Sequence, residues 1–369
     1  MINKKRLLKT FLDLVKIESV SLKEARIMCY IQKELAKMGI ASSFDSAHKK
    51  IQGECGNLFA YVKGTEKGSP VILNAHVDTV KTKKVRPQIK NGYIVSDGTT
   101  ILGADCKAGV AQILEVLHIL KEYHLAHPDL QLIFTVAEEI GLRGASAIRK
   151  KNLKADFALV LDGGELNEIV VQAPTQDNFE IKVLGKAAHA GIHPEDGISA
   201  ISLASQAISK LALGRIDHET TANIGIISGG VATNIIPEKV YLKGEARSHS
   251  LKKLKQQMDK IEKVFQQVCK KNQAQLYFKK QRIYPAFKIS PQDSCIKKIS
   301  RSLKKMGMAP VFKITGGGSD ANIFNHLGVK SIIIGTGMDR VHTKNERIKT
   351  SDLYQGAEML QNILGEICQ

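Results

Sequence analysis

The chain has 369 residues, 43% of them hydrophobic, with a formal net charge of +18 and no tryptophan. That hydrophobic share excludes a disordered chain, and the length exceeds what one core usually serves, so two domains are expected. No apolar run approaches the length of a membrane span, and at 5% the aromatic residues are too few for the stacking platforms of single-strand binders.

The lysines are spread through helices and loops. They read as a solvated surface that attracts anionic substrates, and they argue against nucleic acid as a partner. Near the start, Lys9, Asp13 and Lys16 interrupt any apolar signal core, while Leu8, Phe11, Leu12 and Val15 fall on one helix face. An amphipathic first helix and a cytoplasmic protein are the expectation. Cys29, Cys55, Cys106, Cys269, Cys295 and Cys368 include no C-x-x-C pair, so neither a disulfide framework nor a cysteine zinc site is expected.

Ser21 and Glu24 read as an S-x-x-E capping box opening a helix that Gly39 closes. Short strands at 41–44 and 57–62 lead to V-I-L-N-A-H-V-D-T-V at 71–80. Its apolar start reads as a strand buried on both faces. His76 and Asp78, two positions apart, then leave on the same side. A metal-ligating imidazole and the carboxylate that orients it are commonly supplied this way. A strand whose end happens to be polar explains this stretch equally well. Residues 81–97 are polar and turn-rich. L-G-A-D-C-K-A-G at 102–109 runs into an apolar helix ending near 120. A strand at 130–136 ends in Ala137, Glu138 and Glu139, and one at 157–161 ends in Asp162. Strands alternating with helices predict an α/β sheet with ligands beyond the strands' carboxyl ends.

Near Gln172 the pattern changes. Strands at 179–183, 222–228, 239–246 and 275–284, with helices at 198–211 and 251–272, give the order βαββαβ of a ferredoxin-like unit. The α/β pattern resumes after Pro285, with a helix at 293–306, strands at 311–314 and 331–334, and a C-terminal helix. Residues 1–174 and 286–369 are therefore expected to form one discontinuous domain, interrupted by a second at 175–285.

His76, Asp105, Glu138 with Glu139, Asp162 and His342 lie at strand ends or in loops. Each alone is ordinary. Around one sheet edge they crowd carboxylates at a cost of several kcal/mol unless a cation is present. Two histidines with carboxylates suit zinc, and five ligands sharing one carboxylate suit two metals about 3.5–4 Å apart.

The motifs N-A-H-V-D-T-V, G-A-D-C-K-A-G, A-E-E-I-G-L-R-G-A, L-D-G-G, A-A-H-A-G, G-G-V-A-T-N-I-I-P, A-R-S and G-G-G-S-D-A-N, with the C-terminal histidine, span nearly the whole chain. In them it resembles the dizinc metallopeptidases, the family of tripeptide aminopeptidases (peptidase T), glutamate carboxypeptidases and aminoacylases, leaning to the peptidase T branch. The resemblance implies a zinc-peptidase-like catalytic domain, with a mixed sheet flanked by helices, and an inserted ferredoxin-like lid and dimerisation domain. It implies two zinc ions per subunit, with cobalt or manganese as substitutes. Asp105 would bridge them, with His76 and Asp162 completing one site and Glu139 and His342 the other. Asp78 would hold the His76 ring, and Glu138 would be the general base for the water bridging the metals. His189 from the partner subunit of a homodimer would stabilise the oxyanion, Arg247 and Asn234 would hold the peptide's terminal carboxylate, and Gly317 would let backbone approach the substrate. A cis peptide bond between Asp105 and Cys106 is implied as well. Cys106 stands where peptidase T relatives carry an aspartate, and reads as a small packed residue.

The expected activity is removal of the N-terminal residue from short peptides. An N-acyl-amino-acid amidohydrolase or a carboxypeptidase would use the same machinery, and a non-catalytic polyanion-binding protein is the reading from a different class.

Overall fold

The computed structural model describes residues 2–66 and 68–368. The chain divides into two units, Met1–Gln172 with Phe287–Gln369, and Ala173–Ala286. No helix among the described residues is long and apolar enough to cross a membrane.

Among the described residues, the main sheet of the discontinuous unit has nine strands. Its centre is four parallel strands in the order Leu130–Thr135, Val71–His76, Phe157–Gly163 and Lys330–Gly335. Leu58–Val62 on one side and Glu168–Ala173 on the other pair antiparallel to them, so the sheet is mixed. Every residue of Val71–His76 and Leu130–Thr135 is buried, as strands covered on both faces must be. The helix Ala104–Glu122 packs on the strands Val71–His76 and Phe157–Gly163 and on the helices Lys4–Lys16 and Thr350–Cys368. Gly109 lets it come that close: a Cβ there would stand 2.4 Å from the Leu161 carbonyl oxygen.

Three of the differences between the sequence reading and the structure have a plain physical reason. Ser21 and Glu24 form no capping box: the helix begins at Ala25 without a side-chain cap, the Ser21 hydroxyl donates to Asp78, and Glu24 accepts from the backbone of Leu22 and Ala137. The first helix buries Leu7, Phe11, Leu14 and Val15, so it is rotated from the face carrying Leu8 and Leu12. Two apolar stripes lie side by side there, and the Arg6 guanidinium, bonded to buried Glu115 at 2.7 Å, selects between them. Residues 81–97 are not all turn. Gln88–Lys90 and Tyr93–Val95 join Arg347–Lys349 and Met338–Asp339 in a four-stranded antiparallel sheet, whose strands are too short to carry a period.

Ala173–Ala286 runs in the order Thr175–Leu184, Ala200–Ile208, Thr220–Gly229, Lys239–Ser248, Leu251–Lys271, Gln275–Tyr284, the βαββαβ sequence. A two-residue strand, Gly214–Arg215, is added at one edge of its antiparallel sheet. Phe179, Ile181 and Val183 alternate inward and meet Leu254, Met258, Ile261 and Phe265, spaced by three and four along the long helix.

Candidate metal centre

The parallel strands of the main sheet point their carboxyl ends to one side, where ligands collect in such sheets. His76 is the last residue of its strand, Asp162 the sixth of Phe157–Gly163, and Glu138 and Glu139 follow Leu130–Thr135 after Val136 and Ala137. Asp105 enters from the first turn of Ala104–Glu122, where its own φ and ψ are not yet helical and its peptide bond to Cys106 is cis. His342 hangs in the loop between Met338–Asp339 and Arg347–Lys349.

Asp105 stands between the two histidines. Its Oδ1 lies 3.0 Å from His76 Nε2, and its Oδ2 lies 3.2 Å from His342 Nε2. Two donor groups therefore share it: His76, Asp105, Asp162 with Cys106 nearby, and Asp105, Glu139, His342, the donor atoms of each group lying within 4.8 Å of one another. His76 Nε2 is 3.5 Å from Asp162 Oδ1, and His342 Nε2 is 2.9 Å from Glu139 Oε2. Glu138 belongs to neither group but lines the same cavity, of about 1000 Å³, as Asp105, Glu139, Asp162 and His342.

Asp78 does more than face a ring. His76 Nδ1 is 3.1 Å from the Asp78 carbonyl oxygen and 3.5 Å from its Oδ1. The fully buried carboxylate also accepts the backbone N–H groups of Glu138 at 2.9 Å and Glu139 at 3.2 Å, and the Ser21 hydroxyl at 2.6 Å. Glu24, equally buried, accepts the N–H of Ala137 at 3.0 Å.

Charge balance shows what the cluster asks for. Burial pushes the carboxyls of Glu138, Glu139 and Asp162 upward. Burial acts the same way on Asp105, but hydrogen bonds from His342 and His76 outweigh it and hold that carboxyl well below its ordinary value. Burial opposes charge on His76 too, yet Glu138 and the carboxylates around it raise the imidazole well above its usual range. Hydrogen bonds to Asp105 and Glu139 raise His342 to about 10. So many acids stay ionised together only with positive charge among them, and the mixed nitrogen and oxygen donors suit divalent cations such as zinc. Burial pushes the Cys106 thiol well up, and its Sγ–H donates to the Leu161 carbonyl oxygen.

The remaining expected residues fall in different places. In the inserted unit, His189 and Asn234 come together through a bridge pairing His189 with Ile235 and a bond from Ala190 N to the Asn234 carbonyl oxygen at 2.9 Å. Both side chains belong to exposed residues. Arg247 is half-buried and its guanidinium grips Glu245 through Nε at 2.8 Å and Nη2 at 3.2 Å. In the discontinuous unit, Gly318 lines the cavity. A Cβ on Gly317 would meet only Thr315 Oγ1, at 3.6 Å, so protein crowding does not require glycine there. The sequence reading passed over Glu346 and Asp320, both 1% exposed. Asp320 bonds Thr135 Oγ1, and burial raises its carboxyl to about 7. Its only signal was its place inside G-G-G-S-D-A-N.

The sequence model of peptidase family M20/M25/M40 matches residues 72–366. The chain belongs to that family. It is a metallopeptidase with the family's mixed α/β architecture. It is 39% identical to the uncharacterized protein YqjE of Bacillus subtilis (strain 168), over 99% of both chains. Among solved structures, a tripeptidase of Staphylococcus aureus subsp. aureus Mu50 superposes with a TM-score of 0.94 at 39% identity, covering 100% of this chain and 99% of that one. The aminopeptidase PepT of Bacillus cereus ATCC 10987 gives 0.89 at 38% identity, with both chains fully covered.

Proposed function

We propose that this M20 peptidase removes the N-terminal residue from short peptides, tripeptides first among them, using two divalent cations. The observation that carries the reading is Asp105, with one carboxylate oxygen turned to His76 and the other to His342. That arrangement suits a carboxylate shared between two cations, one held with His76 and Asp162, the other with Glu139 and His342. Zinc is the reading for both, with cobalt or manganese as substitutes. Cations bound there lower the pKa of water towards 7 and polarise the peptide carbonyl. Glu138 takes a proton from the attacking water and returns it to the leaving amine. Its place in the shared cavity, beside both donor groups and a member of neither, supports that role. Asp78 fixes where Glu138 points through the backbone bond it accepts.

The tripeptidase and the aminopeptidase that the chain is similar to support the choice of a free amino-terminal substrate. Asn234 and Arg247 take the peptide's terminal carboxylate in this reading, a bidentate task for which a guanidinium held in place is suited. His189, supplied by the second subunit, faces the oxyanion, and Gly317 belongs to the loop that approaches the substrate.

The second subunit itself is part of the proposal. Gly214–Arg215 pairs only with Thr221 and Ala222. Beyond Ala222, among the described residues, no strand covers that edge of Thr220–Gly229. There Ile226 is 57% and Ile227 54% exposed, an apolar open edge of the kind that pairs with a second copy.

The deciding experiment supplies purified protein with zinc or cobalt and offers free tripeptides, acetylated amino acids and peptides blocked at either end. Release of the first residue from free tripeptides is expected, and Glu138→Ala should lower it by about 10²–10⁴-fold while two metals per chain remain by elemental analysis. Turnover of acetylated amino acids alone would move the activity to the amidohydrolases. Undiminished turnover by Glu138→Ala would remove the base.

A further inference from the structure

Glu346 lies four residues beyond His342, is 1% exposed, and does not line the reaction cavity. Its carboxylate is nonetheless fully engaged by one short segment. Oε2 accepts the backbone N–H groups of Leu102 at 2.9 Å and Gly103 at 2.8 Å, and Oε1 accepts that of Asp105 at 3.1 Å. Those residues form the turn into the helix Ala104–Glu122, with Gly103 at a φ of +75°, and that turn presents the carboxylate both donor groups share. Glu346 is itself anchored in the His342 loop: its N–H donates to the Thr343 carbonyl oxygen at 3.1 Å, and the next residue, Arg347, starts a strand paired with Val95.

One buried side chain thus ties the Asp105 turn to the His342 loop, 241 positions apart in the chain. Bonds from N–H groups to a carboxylate are about twice as strong as neutral ones, and three converge here. A glutamine in its place would turn an N–H₂ group towards backbone donors and lose at least one of these bonds. We infer that Glu346 is a positioning residue for the metal centre: it sets the separation of Asp105 and His342, on which the cation held by Asp105, Glu139 and His342 depends. This rests on the two-cation reading above. Groups that orient ligands from behind typically change metal affinity by about 10–100-fold when removed. The other donor group shares only Asp105 with this brace, whereas the group of Asp105, Glu139 and His342 is braced on two of its donors, so the latter loses the more.

Cobalt(II) titration of the metal-free protein, followed by visible absorption, tests this with four chains: the unaltered protein, Glu346→Gln, Glu346→Asp and Glu366→Gln. Glu366 is a buried acid of the last helix paired with Lys305, and it serves as the control for lost stability alone. The unaltered protein should take up two equivalents. Glu346→Gln should weaken one of them at least tenfold and shift its absorption band, and should weaken the other, which shares only Asp105, by distinctly less. Glu346→Asp, with its carboxylate drawn back by one methylene, should do the same less severely, and it decides the matter if the glutamine variant does not fold. Glu366→Gln should bind both ions normally. Two unchanged equivalents in the folded Glu346 variants would overturn the inference, as would an equal weakening in Glu366→Gln. Uptake of fewer than two ions by the unaltered protein, or of two by His342→Ala, would instead break the two-cation reading.

Discussion

Asp78 holds Glu138 by its backbone: the buried carboxylate accepts the Glu138 N–H at 2.9 Å and, through its other oxygen, the Glu139 N–H at 3.2 Å. A single acid therefore places both the proposed base and a neighbouring metal donor, as well as facing the His76 ring. Asp78→Ala would leave two buried N–H groups without an acceptor, at about 1–3 kcal/mol each. Urea denaturation should report a loss of about 2–6 kcal/mol on that ground. Turnover should fall by about 10²-fold, the scale on which a displacement near 1 Å costs an enzyme. Unchanged stability would mean the two N–H groups find other partners.

Glu24 makes stability depend on pH. Burial first, and the nearby charge of Asp78 second, raise its carboxyl to about 7. Cys55 also faces it, and its Oε2 has no hydrogen-bond partner among the described residues. The folded chain thus holds this proton more tightly than the unfolded chain does. Its contribution is complete below the ordinary carboxyl value of 4.5 and is lost as the pH rises through about 7. Glu24→Gln removes the titration and keeps the acceptor for Ala137. In chelator-treated protein the variant should gain on the unaltered chain by roughly 2.5 kcal/mol between pH 5 and pH 8. Parallel stability curves would contradict this.

Gly109 is where the helix Ala104–Glu122 touches the strand carrying Asp162. The Cβ of Gly109→Ala would sit 2.4 Å from the Leu161 carbonyl oxygen, a backbone atom that cannot swing aside. The overpacking should cost about 1–3 kcal/mol. It should also weaken metal binding, because the helix that moves begins at the Asp105 turn. Calorimetry and metal titration on one preparation check both effects.

Thiol chemistry should separate the cysteines. Cys29 is exposed, whereas Cys106 is buried with its thiol pushed well up, and reactivity follows the thiolate and its access. A maleimide at neutral pH should label Cys29 in the native protein and reach Cys106 only after unfolding, as peptide mass analysis would reveal. Cys106→Ala should keep both metal equivalents.

The open edge of Thr220–Gly229 makes subunit association testable. Ile226→Asp puts a charge on an apolar residue that is 57% exposed, so folding should be little affected. Light scattering should show the unaltered chain at twice its mass and the variant at its monomer mass. A variant that remains dimeric would move the interface elsewhere.

How much of this was legible before the structure depends on chain distance. The strands Val71–His76, Leu130–Thr135 and Phe157–Gly163 carry their signal locally, as continuous apolar runs, and each ends in a residue whose chemistry is visible in one dimension. The inserted unit was equally readable, from the period of two in Phe179, Ile181 and Val183 and the amphipathic helix Leu251–Lys271. The second layer of the site was not. Glu24 looks like half of a capping box, and only its bonds from Leu22 and Ala137 show otherwise. Glu346 sits among polar residues in a loop, and its partners lie more than two hundred positions away. Strands of three residues, such as Tyr93–Val95, hold no period for a pattern to display.

The interruption of one unit by the other also imposes an order on synthesis. A ribosome delivers His76, Asp105, Glu139 and Asp162 first, then the whole of Ala173–Ala286, and only afterwards His342 and Glu346. Until that last stretch emerges, the nascent chain offers a three-donor half of the site and nothing to brace the Asp105 turn from behind. The proposed centre is thus a late product of translation, its last donor arriving just ahead of the helix Thr350–Cys368 that closes over Ala104–Glu122.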